Sequence, residues 1–130
     1  MKHLKLYENK SDTVYLLECT DIFISSGHYS SFFKVFETRK DCENYVINIC
    51  NEMQITLIES DEIDDKIKDK YVDDILNTEA KCKEFAYFIV DELTDGEIES
   101  SIRITETTIE RNVKINDDVK LRLDSRKYNL

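Results

Sequence analysis

Residues 38–53 read TRKDCENYVINICNEM, and this stretch decides the fold. Cys42, Tyr45, Val46, Ile49, Cys50 and Met53 recur at steps of three and four, which puts them on one face of an α-helix. Thr38 is a helix-capping residue type whose side-chain oxygen can accept from a free amide of the first turn. Asp41 follows at the capping-box spacing, so the helix is expected to open at Thr38.

Working back from that helix, residues 13–24 (TVYLLECTDIFI) are rich in β-branched and aromatic side chains and predict a strand. Ser25-Ser26-Gly27-His28-Tyr29-Ser30 is a glycine-bearing turn, and Ser31-Phe32-Phe33-Lys34-Val35-Phe36 is a second β-rich run. Together they predict a long hairpin. Because Phe32 and Phe33 are adjacent, one of them must face outward or lie beside a bulge.

Working forward, Ile55-Thr56-Leu57-Ile58 extends the helix to a break near Ser60. Ile63, Ile67, Tyr71, Val72 and Ile75 predict the face of a second helix. A third is expected to open at Thr78 with Cys82, Phe85, Ala86, Ile89, Val90 and Leu93 inward, and to end at Asp95-Gly96, where glycine permits a left-handed cap. Residues 101–110 alternate as a strand does, and Asn116-Asp117-Asp118 is a turn signal before Val119, Leu121 and Leu123. The expected fold is α+β: one domain over residues 1–130 in which an antiparallel sheet, the N-terminal hairpin plus C-terminal strands, packs on about three amphipathic helices. Residues 1–12 and 124–130 are expected to fray.

A shift of forty residues aligns 38–60 with 78–100, with identities at Thr38/Thr78, Cys42/Cys82, Ile49/Ile89, Glu52/Glu92 and Ile58-Glu59-Ser60/Ile98-Glu99-Ser100. A true repeat would offer two similar binding faces. The match stops short of the flanking strands, however, which favours two amphipathic helices of similar composition.

Composition narrows the function. The chain has 130 residues, 28 Asp plus Glu against 18 Lys plus Arg, two glycines and no proline. A net charge of -10 argues against direct binding to nucleic acid or to an anionic membrane, and for a basic partner. Gly27 and Gly96 stand far apart, so no phosphate-binding loop of the nucleotide enzymes can be assembled. Without an apolar leader or a spanning run, the chain reads as cytoplasmic, and Cys19, Cys42, Cys50 and Cys82 as reduced thiols.

Nucleophilic chemistry would need one of those cysteines beside His3 or His28. Three of them fall on apolar helix faces, where a thiol acts as a small hydrophobe, and only Cys19 with His28 could meet across the hairpin. Asp61, Glu62 and Asp65 could offer oxygens to a divalent cation but lack the EF-hand spacing. No enzyme activity, cofactor or metal is expected.

Two features remain for partner binding. Glu59 and Asp61 precede Glu62, Asp65, Asp69 and Asp73, whose spacings of three, four and four would place carboxylates in one stripe if the segment is helical. Such a row can oppose the Lys and Arg that contact phosphates on another protein, although Lys66, Lys68 and Lys70 interleave it as on an ordinary solvated helix. At the hairpin turn, His28, Tyr29, Phe32 and Phe33 gather rings of the kind that anchor interfaces, or that cap a core.

The run Val35-Phe36-Glu37-Thr38-Arg39-Lys40 before a helix with Cys42, Tyr45 and Val46 resembles small phage and prophage domains. The acidic, proline-free, motif-poor chain is similar, at class level, to phage-encoded anti-defence proteins, anti-CRISPR proteins among them. That resemblance implies a non-catalytic protein in the host cytoplasm that binds and blocks a bacterial immune nuclease. A dimeric sponge for a signalling nucleotide is the alternative, with Arg103, Arg111, Arg122 and Arg126 as the available phosphate ligands. A phage structural or assembly component is a third reading.

Overall fold

The computed structural model describes residues 10–111. The turn at Asn116, the strand through Leu123, residues 1–9 and 124–130, and His3, Arg122 and Arg126 lie outside that range, whereas residues 10–12, expected to fray, fall in a strand. The chain divides into two compact units, Val14–Thr107 and Met1–Thr13 with Thr108–Leu130. The first holds the described helices and the paired residues of the hairpin.

The element order is β1 (Lys10–Ser25), β2 (His28–Phe36), α1 (Arg39–Glu59), α2 (Asp65–Tyr71), α3 (Glu79–Leu93) and β3 (Ser101–Arg111). The fold is α+β, a three-stranded antiparallel sheet in the order β2-β1-β3 packed against helices. Strands β1 and β2 pair antiparallel from Tyr15 opposite Phe36 to Ser25 opposite His28. On the other side of β1, the Tyr15 hydroxyl donates to Glu106 Oε1 at 3.0 Å and Arg103 pairs with Glu18. Three steps up β1 thus match three steps down β3, as antiparallel pairing requires.

The register settles which phenylalanine points out. Cys19 lies opposite Phe32 and Glu18 opposite Phe33, and directly opposed residues share a face. Cys19 is buried, so Phe32 packs inward edge-on to Tyr45 with ring centroids 6.4 Å apart, while Phe33 is 73% exposed. Between Cys19 and Ile22 the ladder slips, with Asp21 in the left-handed region at φ 49°. This bulge lets both Ile22 and Phe23 enter the core. On β2, an edge strand among the described residues, Lys34 turns inward over the rings of Tyr45 and Phe36, at 4.6 and 5.8 Å. An inward charge of this kind discourages edge-to-edge pairing with another chain.

Both long helices open as their sequences foretell. Thr38 and Thr78 are extended, and their hydroxyl oxygens accept from the amides of Asp41 at 3.1 Å and Lys81 at 3.2 Å. The equivalent residues Cys42 and Cys82, Val46 and Ala86, and Cys50 and Val90 are all buried. Arg39 and Glu79, at the first positions of the two helices, form an ion pair at 2.8 Å, and Gln54 and Glu92, further along, both bond to Tyr71. Helices α1 and α3 therefore lie side by side and parallel. The likeness ends at Ile58-Glu59-Ser60, which finishes α1, whereas Ile98-Glu99-Ser100 follows the end of α3 and leads into β3.

The middle helix is much shorter than its apolar pattern suggests. Asp64 caps it by accepting from the Lys66 amide at 2.8 Å, and it stops after Tyr71. Residues 72–77 run on as a strap lashed to α1 by two amide side chains. Asn51 donates to the Leu76 carbonyl, and Gln54 donates to those of Tyr71 and Asp74. Ile63 and Leu76 are buried by this return segment, while Val72 and Ile75 face outward. The cap of α3 also differs from expectation. Asp95, not the glycine, takes the first left-handed position at φ 52°, and the Gly96 amide donates back to the Asp91 carbonyl at 2.8 Å.

If the threonine caps nucleate the parallel pair, Thr38→Ala and Thr78→Ala each cost about 1 kcal/mol in urea denaturation, and replacement by Asp costs little. Alanine variants as stable as the parent would show that neither oxygen matters.

Candidate functional site

Two sequence features far apart in the chain meet at one end of the molecule. The hairpin turn, with Gly27 at φ 76°, brings Ser25, Ser26 and His28 over the C-terminus of α1. Ile55, Glu59, Asp61 and Glu62 form the facing wall of a shallow depression of roughly 540 Å³. His28 Nδ1 lies 2.9 Å from the Ser26 carbonyl and 3.2 Å from Ser25 Oγ, which holds the ring at the turn. Ser60 Oγ accepts from the Glu62 amide and fixes the turn behind the helix. Glu59, Asp61 and Glu62 all reach solvent, and Ile55 supplies an exposed apolar patch beside them.

This end is electrostatically one-sided. The last turn of α1 contains no basic residue, and neither does that of α3. Residues 41–65 contain no Lys or Arg, nor do residues 84–102, where Asp91, Glu92, Asp95, Glu97 and Glu99 cluster. A helix C-terminus carries roughly half a negative charge. Because α1 and α3 are parallel, two such ends point the same way and add to the carboxylates. Asp95 bears a second cost, because it occupies a left-handed position for which glycine is preferred.

One carboxylate is neutralised locally. Glu92 pairs with Lys70 and accepts from the Tyr71 hydroxyl at 2.8 Å. Lys70, and secondarily the Tyr71 bond, hold the Glu92 carboxyl below the usual range, while burial and the Glu92 bond push the Tyr71 hydroxyl up. Tyr71 also stacks edge-on against Phe85, so the pair ties α2 to α3.

The expected carboxylate stripe does not form. Glu62 lies in the turn before α2 and Asp73 beyond its end, leaving Asp65 and Asp69 one turn apart on a helix of seven residues. Tyr29 is half-buried against Phe23, with centroids 6.4 Å apart, and Phe32 is taken by the core. Of the turn's expected contacts, His28 stays exposed; Phe33, on the outer face of the sheet, is the ring actually presented. The acids of residues 91–99 escape a sequence reading because each looks like an ordinary helix end; their signal is the long run without a base.

Among the described residues, Cys19 and His28 do not meet across the hairpin. All four cysteines are buried, and Cys19 sits opposite Phe32, well down the hairpin from His28. Burial pushes the Cys19 thiol to about 11 and raises Cys42, and a hydrogen bond with Cys82 together with burial keeps Cys50 protonated. Among the described residues no group of three His, Cys, Asp or Glu gathers to hold a metal ion. No helix among them is long and apolar enough to cross a membrane. Arg103 is engaged by Glu18.

Comparison with protein-family models, with curated proteins and with solved structures finds no match to this chain.

The Glu92 contacts carry a pH signature. A carboxyl held below its unfolded value contributes stability above that value, and loses it as pH falls through the folded one. Glu92→Gln should therefore cost about 1 kcal/mol at pH 7, allowing for partial exposure, and almost nothing near pH 3. Urea titrations giving the same difference at both pH values would remove the carboxylate from the explanation.

Proposed function

We propose that this chain is a non-catalytic acidic binding protein that docks its hairpin-turn end on the basic, nucleic-acid-binding surface of a larger protein and so excludes nucleic acid from it. The observation that carries this reading is the hairpin turn set over Glu59, Asp61 and Glu62 at the C-terminus of α1, with the parallel α3 pointing its own C-terminus and the 91–99 carboxylates the same way and no basic residue in either last turn. Like charges brought together in this way repel one another and weaken the fold, so a cationic partner supplies the compensation that the chain itself provides only at Glu92. Exposed Ile55 gives such a partner an apolar contact inside the charged ring, the arrangement in which interfacial charge pairs are shielded from solvent.

In keeping with its resemblance to phage anti-defence proteins, the partner we propose is a bacterial defence effector that grips nucleic acid with Lys and Arg, such as a CRISPR nuclease. A protein of this kind needs no catalytic group; mimicry of a phosphate array suffices.

The test is capture from a bacterial lysate on the immobilised chain, with mass spectrometry, comparing wild type with the triple variant Glu59→Lys, Asp61→Lys, Glu62→Lys. The expected result is a basic nucleic-acid-binding protein whose recovery falls about tenfold or more in the variant and in NaCl of about 0.5 M, and which releases its nucleic acid when the wild-type chain is added. Equal recovery by the reversed variant would sink the proposal.

A further inference from the structure

Away from the acidic end, a second surface has the anatomy of an interface. Around the middle of α3, Phe88 is 50% exposed and lies edge-on to exposed Tyr87, with centroids 5.3 Å apart. The strap of residues 72–77 runs alongside and adds Ile75, 68% exposed, and Val72. Between strap and helix lies a groove of roughly 430 Å³ floored by Tyr71, Leu76 and Phe85.

Ile75 is not displayed by a loose loop. The carbonyls on either side of it, those of Asp74 and Leu76, accept from Gln54 and Asn51 of α1 at 2.8 and 3.0 Å. Its outward position is thus pinned from behind, and the entropy cost of ordering it for a partner is met on folding. A β-branched side chain held into solvent beside two exposed rings is, among the described residues, an unpartnered apolar surface with a fixed shape.

The rim identifies the occupant. Asp73 and Asp74 line the strap side; Glu84 stands one turn before Phe88 on α3, and Asp91 one turn after Tyr87. The lone base lining the groove, Lys81, is hydrogen-bonded to Asn77. A second copy related by a two-fold axis would set these acids against themselves on a chain of charge -10. An apolar face flanked by Lys and Arg meets the surface without such conflict.

We propose that the groove between α3 and residues 72–77 is a docking site for a basic amphipathic helix, in which apolar residues at helical spacing seat on Ile75, Tyr87 and Phe88 while Lys or Arg on its flanks meet Asp73, Asp74, Glu84 and Asp91. The inference rests on the reading that the partner is basic, but it concerns a different surface from the acidic end.

The probe is a leucine-lysine peptide of about 18 residues, five helical turns, with a same-composition scrambled peptide and a leucine-glutamate peptide as controls. Binding is followed by fluorescence anisotropy and by amide NMR shifts. The expected result is shifts centred on Ile75, Tyr87 and Phe88, affinity about tenfold weaker for the scrambled peptide, none for the acidic one, and about tenfold loss on Phe88→Ala or Ile75→Ser. Both side chains are exposed, so unchanged melting curves verify that these variants remain folded.

Shifts centred on Glu59 and Glu62, or equal binding of the scrambled peptide, would overturn the groove. So would a dimer in sedimentation that Phe88→Ala dissolves, since the occupant would then be a second copy. The triple Lys variant of the acidic end should retain the peptide at the groove. If it loses lysate capture but keeps the peptide, both readings stand; if wild-type peptide binding is absent while capture depends on the acidic end, only the groove falls.

Discussion

The parallel pairing of α1 and α3 is the constraint on which the rest of the molecule depends. Small buried side chains, Cys42, Val46 and Cys50 on one helix and Cys82, Ala86 and Val90 on the other, let the two approach closely beneath the sheet. Parallel neighbours cannot be joined by a tight turn. A helix of 21 residues is about 30 Å long, so the chain must travel back along its whole length before α3 can start. Residues 60–78 make that journey. Their hydrogen bonds to Asn51 and Gln54 and their two buried anchors, Ile63 and Leu76, are what make the return ordered.

The same constraint produces both surfaces of interest. Starting both helices at one end points both negative helix ends the other way, that of α1 beneath the hairpin turn, and the last turn of each carries no Lys or Arg to relieve it. Routing the return segment along the outside of α3 leaves a seam between strap and helix, floored by core residues and edged by acids. Stability alone would favour glycine at position 95 and a base near residue 59. Asp95 and Glu59 oppose folding, a cost that the proposed cationic partner would offset.

Much of this architecture could be read from local pattern. The hairpin, both long helices and their threonine caps are signalled by residues within a few positions of one another, and each lies where the pattern puts it. Apart from the cap of α3, the failures involve distant groups. Ile63 through Ile75 keep a helical period, yet α1 amides capture the carbonyls of residues 71, 74 and 76, and those bonds replace a longer helix. Phe32 and Phe33 are equivalent until the register, with Cys19 opposite Phe32, turns one inward. The acidic end is half visible, as Glu59 to Glu62 beside a turn. Its other half requires knowing that α3 runs the same way as α1, so that residues 91–99 lie toward that end, which is carried by the relative direction of two helices and by no short motif.

The most direct test of the acidic end is the stability of the variant Glu59→Lys/Asp95→Asn, measured by urea denaturation in about 0.02 M and about 0.5 M NaCl. If that end is a concentration of unrelieved charge, the variant is more stable than the parent by about 1 kcal/mol at low salt, and the gain shrinks at high salt. A variant that is less stable than the parent, or unchanged at low salt, would contradict it, because the carboxylates would then be held by favourable contacts within the chain.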